Sequence, residues 1–185
     1  MAIRPWKKDG EPEVLAAGYR KKFVRQWYID PDGGRHDFLQ YVQPPSIVVM
    51  IVTVSSHVLV LREFMQGAGE IIEWLGGGLK NAGETIEDAV HREVLEETGH
   101  RVGRLISLGP MWVIARHSPT PVDLYLATEC VRVSEQHLDP GEDIEIVPVP
   151  LDDWIARAVN GQVTCGFSST ITLRALPHLG LKITR

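Results

Sequence analysis

The chain has 185 residues, 44 % of them hydrophobic, with a formal net charge of −5 and a pI near 5.8. That length buries one sizeable core, and the acidic balance excludes a broad electrostatic grip on nucleic acid. Cys130 and Cys165 form neither a metal spacing nor a disulfide framework, which suits reduced thiols in a cytoplasm. No stretch is apolar for long enough to act as a signal peptide or membrane span, and there is no internal repeat or low-complexity tract.

In chain order, residues 22–29 and 36–42 read as strands joined by the turn Asp30-Pro31-Asp32-Gly33-Gly34. Residues 47–54 and 58–64 follow as apolar β segments, the first so continuously apolar that it is expected to be covered on both faces. The next element is a helix over residues 86–98. Thr85 with Asp88 gives a capping-box-like start, no Pro or Gly interrupts it, and Gly99 supplies the stop. Residues 105–107, 112–115 and 123–129 read as further strands, and Val147-Pro148-Val149-Pro150 closes the sheet region. Asp152 is expected to cap a helix through Asn160, and Ser168 or Ser169 a last helix ending near Pro177. This order suits an α+β domain with helices packed on a mixed sheet.

The central helix carries the chemistry. At about 100° per residue, Ile86, Val90, Glu93 and Glu97 fall within roughly 60° of one another, with Ala89 and Glu96 on the flank, so an apolar stripe runs into carboxylates. Such pairs repel by only ~0.2–0.5 kcal/mol on a solvated surface, but desolvation without a partner costs several kcal/mol per ion. A cation is therefore expected there, against the alternative of a solvated acidic helix end. Hard oxygen donors with no Cys or His cluster favour Mg²⁺ or Mn²⁺ over zinc.

The segment GLKNAGETIEDAVHREVLEETGH resembles the signature of the Nudix hydrolases, G-x5-E-x7-R-E-U-x-E-E-x-G-U with U aliphatic. Gly78, Glu84, Arg92, Glu93, Val94, Glu96, Glu97 and Gly99 match at the required spacing, and His100 departs from the final aliphatic position. The wider pattern, from about residue 21 to 176, is most similar to the branch that hydrolyses ADP-ribose and nucleoside diphosphate sugars. The resemblance implies an α/β/α sandwich with a mixed sheet and an N-terminal β-hairpin extension. It divides the chain into that extension, residues 1–45, and a Nudix domain, residues 46–185. Members of this branch are commonly dimers that share their N-terminal strands, so a homodimer is expected.

For a Nudix hydrolase, Glu93, Glu96, Glu97 and the Gly77 carbonyl would hold the metal, and Arg92 would orient the signature carboxylates. Gly76-Gly77-Gly78 stands where the branch usually has Pro-Ala-Gly, and Met65 where it often has an arginine. Arg62, Arg25 or Arg116 is then left to meet a phosphate. Trp27 is the candidate platform for a nucleobase, with Trp6, Tyr28 and Trp112 competing. Glu142 in the GEDIE segment is the first choice for general base, with Asp143, Glu145 or a signature glutamate as alternatives. The histidines read as structural, with only His117 a candidate near substrate. The expected reaction is Mg²⁺-dependent hydrolysis of a nucleoside diphosphate sugar such as ADP-ribose. The alternatives are GDP-mannose, a dinucleotide, or a module that binds a nucleotide sugar without cleaving it.

Overall fold

The computed structural model describes residues 2–181. They fall into two compact units, residues 2–45 with Met111–Val122, and Ser46–Pro110 with residues 123–181.

The first unit is a three-stranded antiparallel sheet of β1 (Lys7–Gly18), β2 (Lys21–Ile29) and β3 (Arg35–Val42), in that order. The β2–β3 turn closes as the sequence predicts. Asp30 Oδ1 accepts from the Asp32 and Gly34 amides at 2.8 Å each, and Gly33 takes φ +90°. Strand β1 was not anticipated. It is exposed along nearly its whole length and its register slips twice, between Asp9 and Glu13 and between Val14 and Ala16. Residues 112–115, expected as a strand, form an exposed bend and turn. The His117 and Ser118 amides both donate to Ile114 O at 2.8 Å, which curls the chain instead of extending it.

The second unit is a seven-stranded mixed sheet covered by helices on both faces. Its path is β10 (Ile144–Pro150), β5 (His57–Met65), β4 (Ser46–Thr53), β9 (Val122–Arg132) and β7 (His100–Arg101). β6 (Glu70–Trp74) pairs with β5, and β8 (Arg104–Met111) with β9. Val49, Met50 and Ile51 in β4 are fully buried, as the continuous apolar run predicts for a strand covered on both sides. Helix α1 (Ile86–Thr98) lays Ala89, Val90 and Val94 on Ile47, Val49, Ile51 and Leu59. The opposite face carries α2 (Leu151–Val159) and α3 (Gly166–Ala175), with a 3₁₀ turn at Leu176–Leu179. No helix among the described residues is long and apolar enough to cross a membrane.

Three predicted boundaries are corrected. The strand expected at residues 105–107 extends over Arg104–Met111. Helix α2 starts at Leu151, so Asp152 lies in its first turn and makes no side-chain cap. Helix α3 starts earlier, behind Cys165, and Ser168 and Ser169 are interior residues whose hydroxyls bond elsewhere.

Candidate functional site

Helix α1 fixes the geometry of the carboxylates. Thr85 Oγ1 accepts from the Asp88 amide at 3.0 Å while Asp88 Oδ2 takes the Thr85 amide at 3.3 Å, so the capping box is closed. Gly99, at φ +67°, ends the helix with its amide on Leu95 O. The last carbonyls are also satisfied, Glu96 O by the His137 amide and Glu97 O by Gln136 Nε2. His100, in the aliphatic position of the signature, is buried with Nδ1 2.7 Å from Thr98 O, so its polar edge has a partner. With the apolar stripe docked on β4, Glu93 and Glu97 are aimed at the segment Gly76-Gly77-Gly78.

That segment runs beside β4, with the Val49 amide on Gly76 O at 2.8 Å and the Ile47 amide on Gly78 O at 2.9 Å. The Gly77 carbonyl takes no part in this ladder. The Gly77 amide instead donates to Glu97 Oε2 at 2.9 Å. A Cβ on Gly76 would overlap the Glu97 carboxylate, and one on Gly78 the Glu93 carboxylate. Only bare backbone lets the loop lie this close to both acids.

Arg92 spends its whole guanidinium on this end of the helix. Nε and Nη2 grip Glu84 at 2.8 and 3.2 Å, Nη1 reaches Glu93 and Glu96 at 2.9 Å each, and Nη2 also meets Leu79 O at 3.2 Å. The bidentate fork holds the Glu84 carboxyl below its ordinary range and makes the guanidinium still harder to deprotonate.

Glu97, only 2 % exposed, has its carboxyl pushed well above the usual range, first by burial and then by the charge of Glu93, with the Gly77 amide a partial offset. Burial also raises Glu93, against the pull of Arg92. Glu142 repels Glu93 and Glu97, and a further carboxylate, Glu63 on β5, repels Glu97 and is itself raised by burial and then by Glu142. Glu96 and Glu97 lie in the last turn of α1, where the macrodipole disfavours negative charge too. The donors are all hard oxygens, so they fit Mg²⁺ or Mn²⁺ in kind. Among the described residues, no three His, Cys, Asp or Glu side chains converge on one point as they stand.

The NUDIX domain sequence pattern matches residues 42–163 of this chain. The chain belongs to the Nudix family. It is similar to the ADP-ribose pyrophosphatase of Bacillus subtilis (strain 168), at 26 % identity over 140 residues that cover 75 % of this chain and 74 % of that protein. In three dimensions it superposes on a crystal structure of an ADP compounds hydrolase with a TM-score of 0.80 at 19 % identity, covering 97 % of each chain, which shows the same fold. The protein is a Nudix pyrophosphohydrolase, of a family that uses divalent metal ions.

The Nudix chain distributes its remaining candidates unevenly. Glu142 is half-buried in the turn after β9, its Oε2 accepting the Asp139 amide at 3.0 Å. Asp143 is exposed, and Glu145 on β10 is paired with Arg62 Nη1 at 2.8 Å. Arg62 therefore sits among Glu145 and Glu73, on the sheet face opposite Leu61 and Glu63. It is not brought to the signature carboxylates, whereas Glu63 is. The sequence reading missed Glu63, although alternation from Leu59 and Leu61 pointed to it.

Arg25, Trp27 and Arg116 of the Nudix protein lie in the first unit. Arg25 is held by Glu13 at 2.9 Å and Asp37 at 3.3 Å, and the Arg35 guanidinium stands 4.0 Å over the Trp27 ring. Arg116 is exposed in the turn that replaces the expected strand, and His117 next to it has Nδ1 3.0 Å from Leu39 O.

Proposed function

We propose that this enzyme hydrolyses the pyrophosphate bond of an ADP-ribose-like nucleoside diphosphate sugar, in a Mg²⁺-dependent reaction that yields a nucleoside monophosphate and a sugar phosphate. The observation that carries the reading is Glu97: a nearly fully buried carboxylate, beside Glu93, whose one short hydrogen bond is from a glycine amide. Burying such charge costs several kcal/mol unless a cation offsets it. The similarity to an ADP-ribose pyrophosphatase supports the substrate class.

Glu93, Glu96, Glu97 and the Gly77 carbonyl are the residues that would hold Mg²⁺. A bound cation there would neutralise the diphosphate oxygens and lower the pKa of a coordinated water. Glu93 and Glu96 each give only one carboxylate oxygen to Arg92 Nη1, so the other oxygen of each would be the one offered to the cation. Arg92 then stays anchored by the Glu84 fork and keeps the helix end in register. Glu142, whose charge is felt by both Glu93 and Glu97, is the proposed general base that takes the proton from the attacking water. Asp143 is less suited because it is solvent-exposed, and Glu145 because it is committed to Arg62.

Arg25, Trp27 and Arg116 are the candidate phosphate and base contacts, while Arg62 is held by Glu145 and Glu73 on the other face of the sheet. We also propose a cytoplasmic homodimer. The free thiols Cys130 and Cys165 and the apolar side chains Phe23 and Leu39, each 55 % exposed on one face of the first unit's sheet, support it.

The test is product analysis with Mg²⁺ and a panel of ADP-ribose, GDP-mannose, UDP-glucose, a diadenosine polyphosphate and nucleoside triphosphates. Release of AMP and ribose 5-phosphate from ADP-ribose at the highest kcat/KM is the expected result. Saturable binding of a nucleotide sugar with no turnover of any member would replace the reading with that of a sensor.

A further inference from the structure

The glycine segment is anchored on its far side by a helix that plays no part in the signature. Strand β6 ends at Trp74, the last residue of its ladder with β5, so the next amide, that of the fully buried Leu75, leaves the sheet with no strand partner. It donates instead to Ser168 Oγ at 3.0 Å, across 93 residues of sequence. Ser168 is itself fully buried inside α3. Its carbonyl accepts from Thr172 Oγ1 at 2.6 Å, and Thr172 Oγ1 accepts from Trp154 Nε1 of α2 at 2.9 Å. Trp154 and Thr172 are also fully buried.

This chain of bonds begins among the helices on one face of the sheet and ends one residue before Gly76. From there the backbone has two further fixed points, the rungs to Val49 and Ile47. Between them the Gly77 amide meets Glu97, which lies on the opposite face of the sheet from α3. Glycines have no side chains with which to hold a conformation, so the position of this segment is set by its backbone rungs to β4 and by its two ends. One end is the Ser46–Leu79 bridge and the other is Ser168.

We propose that Ser168 is a positioning residue for the cation site, holding Leu75 so that the amide and carbonyl of Gly77 stand at Glu97. The proposal rests on the reading of Glu97 and Gly77 as cation ligands. Groups that orient a ligand without touching the ion typically contribute 10–100-fold to affinity or activity. A side chain acting only on stability would not single out the ion.

The experiment measures Mn²⁺ binding by electron paramagnetic resonance in the absence of substrate, together with kcat, KM and Tm. It compares wild type, Ser168→Ala, Ser168→Thr and Thr172→Val. Ser168→Ala is expected to raise the Mn²⁺ Kd about tenfold and to lower kcat more than it changes KM. Ser168→Thr, which keeps the hydroxyl, restores most of both. Thr172→Val breaks the link to Trp154 and lowers Tm, but leaves Mn²⁺ affinity within about twofold of wild type. Should Ser168→Ala not fold, Ser168→Cys takes its place, since a thiol is a weaker acceptor of similar size, with a smaller change in the same direction. Wild-type Mn²⁺ affinity and kcat in the alanine or cysteine variant would overturn the positioning role, as would losses that track Tm equally in the Ser168 and Thr172 variants. A wild-type protein that binds no Mn²⁺, or a Glu97→Gln variant that binds it normally, would instead overturn the underlying ligand assignment and this inference with it.

Discussion

Replacing Glu97 by Gln should make the cation-free protein more stable and the enzyme inactive. The side chain keeps its volume, and its amide oxygen can still accept the Gly77 amide, so packing is preserved. What disappears is a charge that burial and Glu93 both oppose. Removing a buried charge of this kind relieves on the order of 1–4 kcal/mol, and about 2 kcal/mol corresponds to roughly 4–8 °C in Tm for a chain of this size. Against this, a metal ligand contributes several kcal/mol to transition-state charge stabilisation, so kcat/KM should fall by about 10³-fold or more.

The pH dependence gives the same substitution a second signature. Because the folded-state pKa of Glu97 lies above its unfolded value, the folded chain binds this proton more tightly than the unfolded chain does. The contribution to cation-free stability is fully present below the unfolded value, near 4.5, and is lost as pH rises through the folded value. Glu93 shifts in the same direction, so the two titrate as a coupled pair. Thermal melts in EDTA between pH 4 and 8 should show wild type losing stability toward neutral pH more steeply than Glu97→Gln. Adding Mg²⁺ should raise the Tm of wild type and not of the variant. A variant less stable than wild type in EDTA at pH 8, yet stabilised by Mg²⁺ to the same extent, would refute the reasoning.

Three further outcomes follow from the same geometry. Gly78→Ala places a Cβ against the flexible end of Glu93 rather than against backbone, so stability should change little, by less than about 1 kcal/mol, while Mn²⁺ affinity drops about tenfold; thermal melts and isothermal titration calorimetry read the two effects separately. Glu142→Gln should lower kcat by about 10²–10⁴-fold and leave the Mn²⁺ Kd within about threefold, and an unchanged kcat would move the base assignment elsewhere. Glu63→Gln should weaken Mn²⁺ binding about threefold to tenfold, equal to about 0.6–1.4 kcal/mol of through-space attraction, whereas Glu145→Gln on the other face should not; equal effects would show that only overall charge matters.

The parts legible in the sequence are those whose signals are local. Thr85, Asp88 and Gly99 bound α1 because caps are chosen by residues within one turn of the helix end. The run through Val49, Met50 and Ile51 reads as a doubly covered strand for an equally local reason. Strand β1 was illegible because its residues follow no alternation. Gly10 and Pro12 interrupt it, its side chains are mostly exposed, and it is defined by pairing with β2. Trp112, Val113 and Ile114 gave the opposite error, since their strand propensity is overridden by hydrogen bonds that close a turn. Ser168 looked like a cap because serine favours that position, but its hydroxyl serves a strand end far away in sequence.

The choice between Arg62 and Glu63 shows where charge-based reasoning about a site goes astray. An arginine beside a diphosphate is chemically attractive, and on that ground Arg62 stood with Arg25 and Arg116 as a candidate. A strand, however, sends successive side chains to opposite faces, and the parity is already set by its apolar residues. Leu59 packs against the core under α1, so Leu61 and Glu63 follow on that face, while Arg62 faces away and finds Glu145 and Glu73. The residue on the face of Glu93 and Glu97 is therefore an acid. Its arrival adds negative potential where carboxylates are already crowded, which strengthens the requirement for a cation and leaves the anionic substrate more dependent on it.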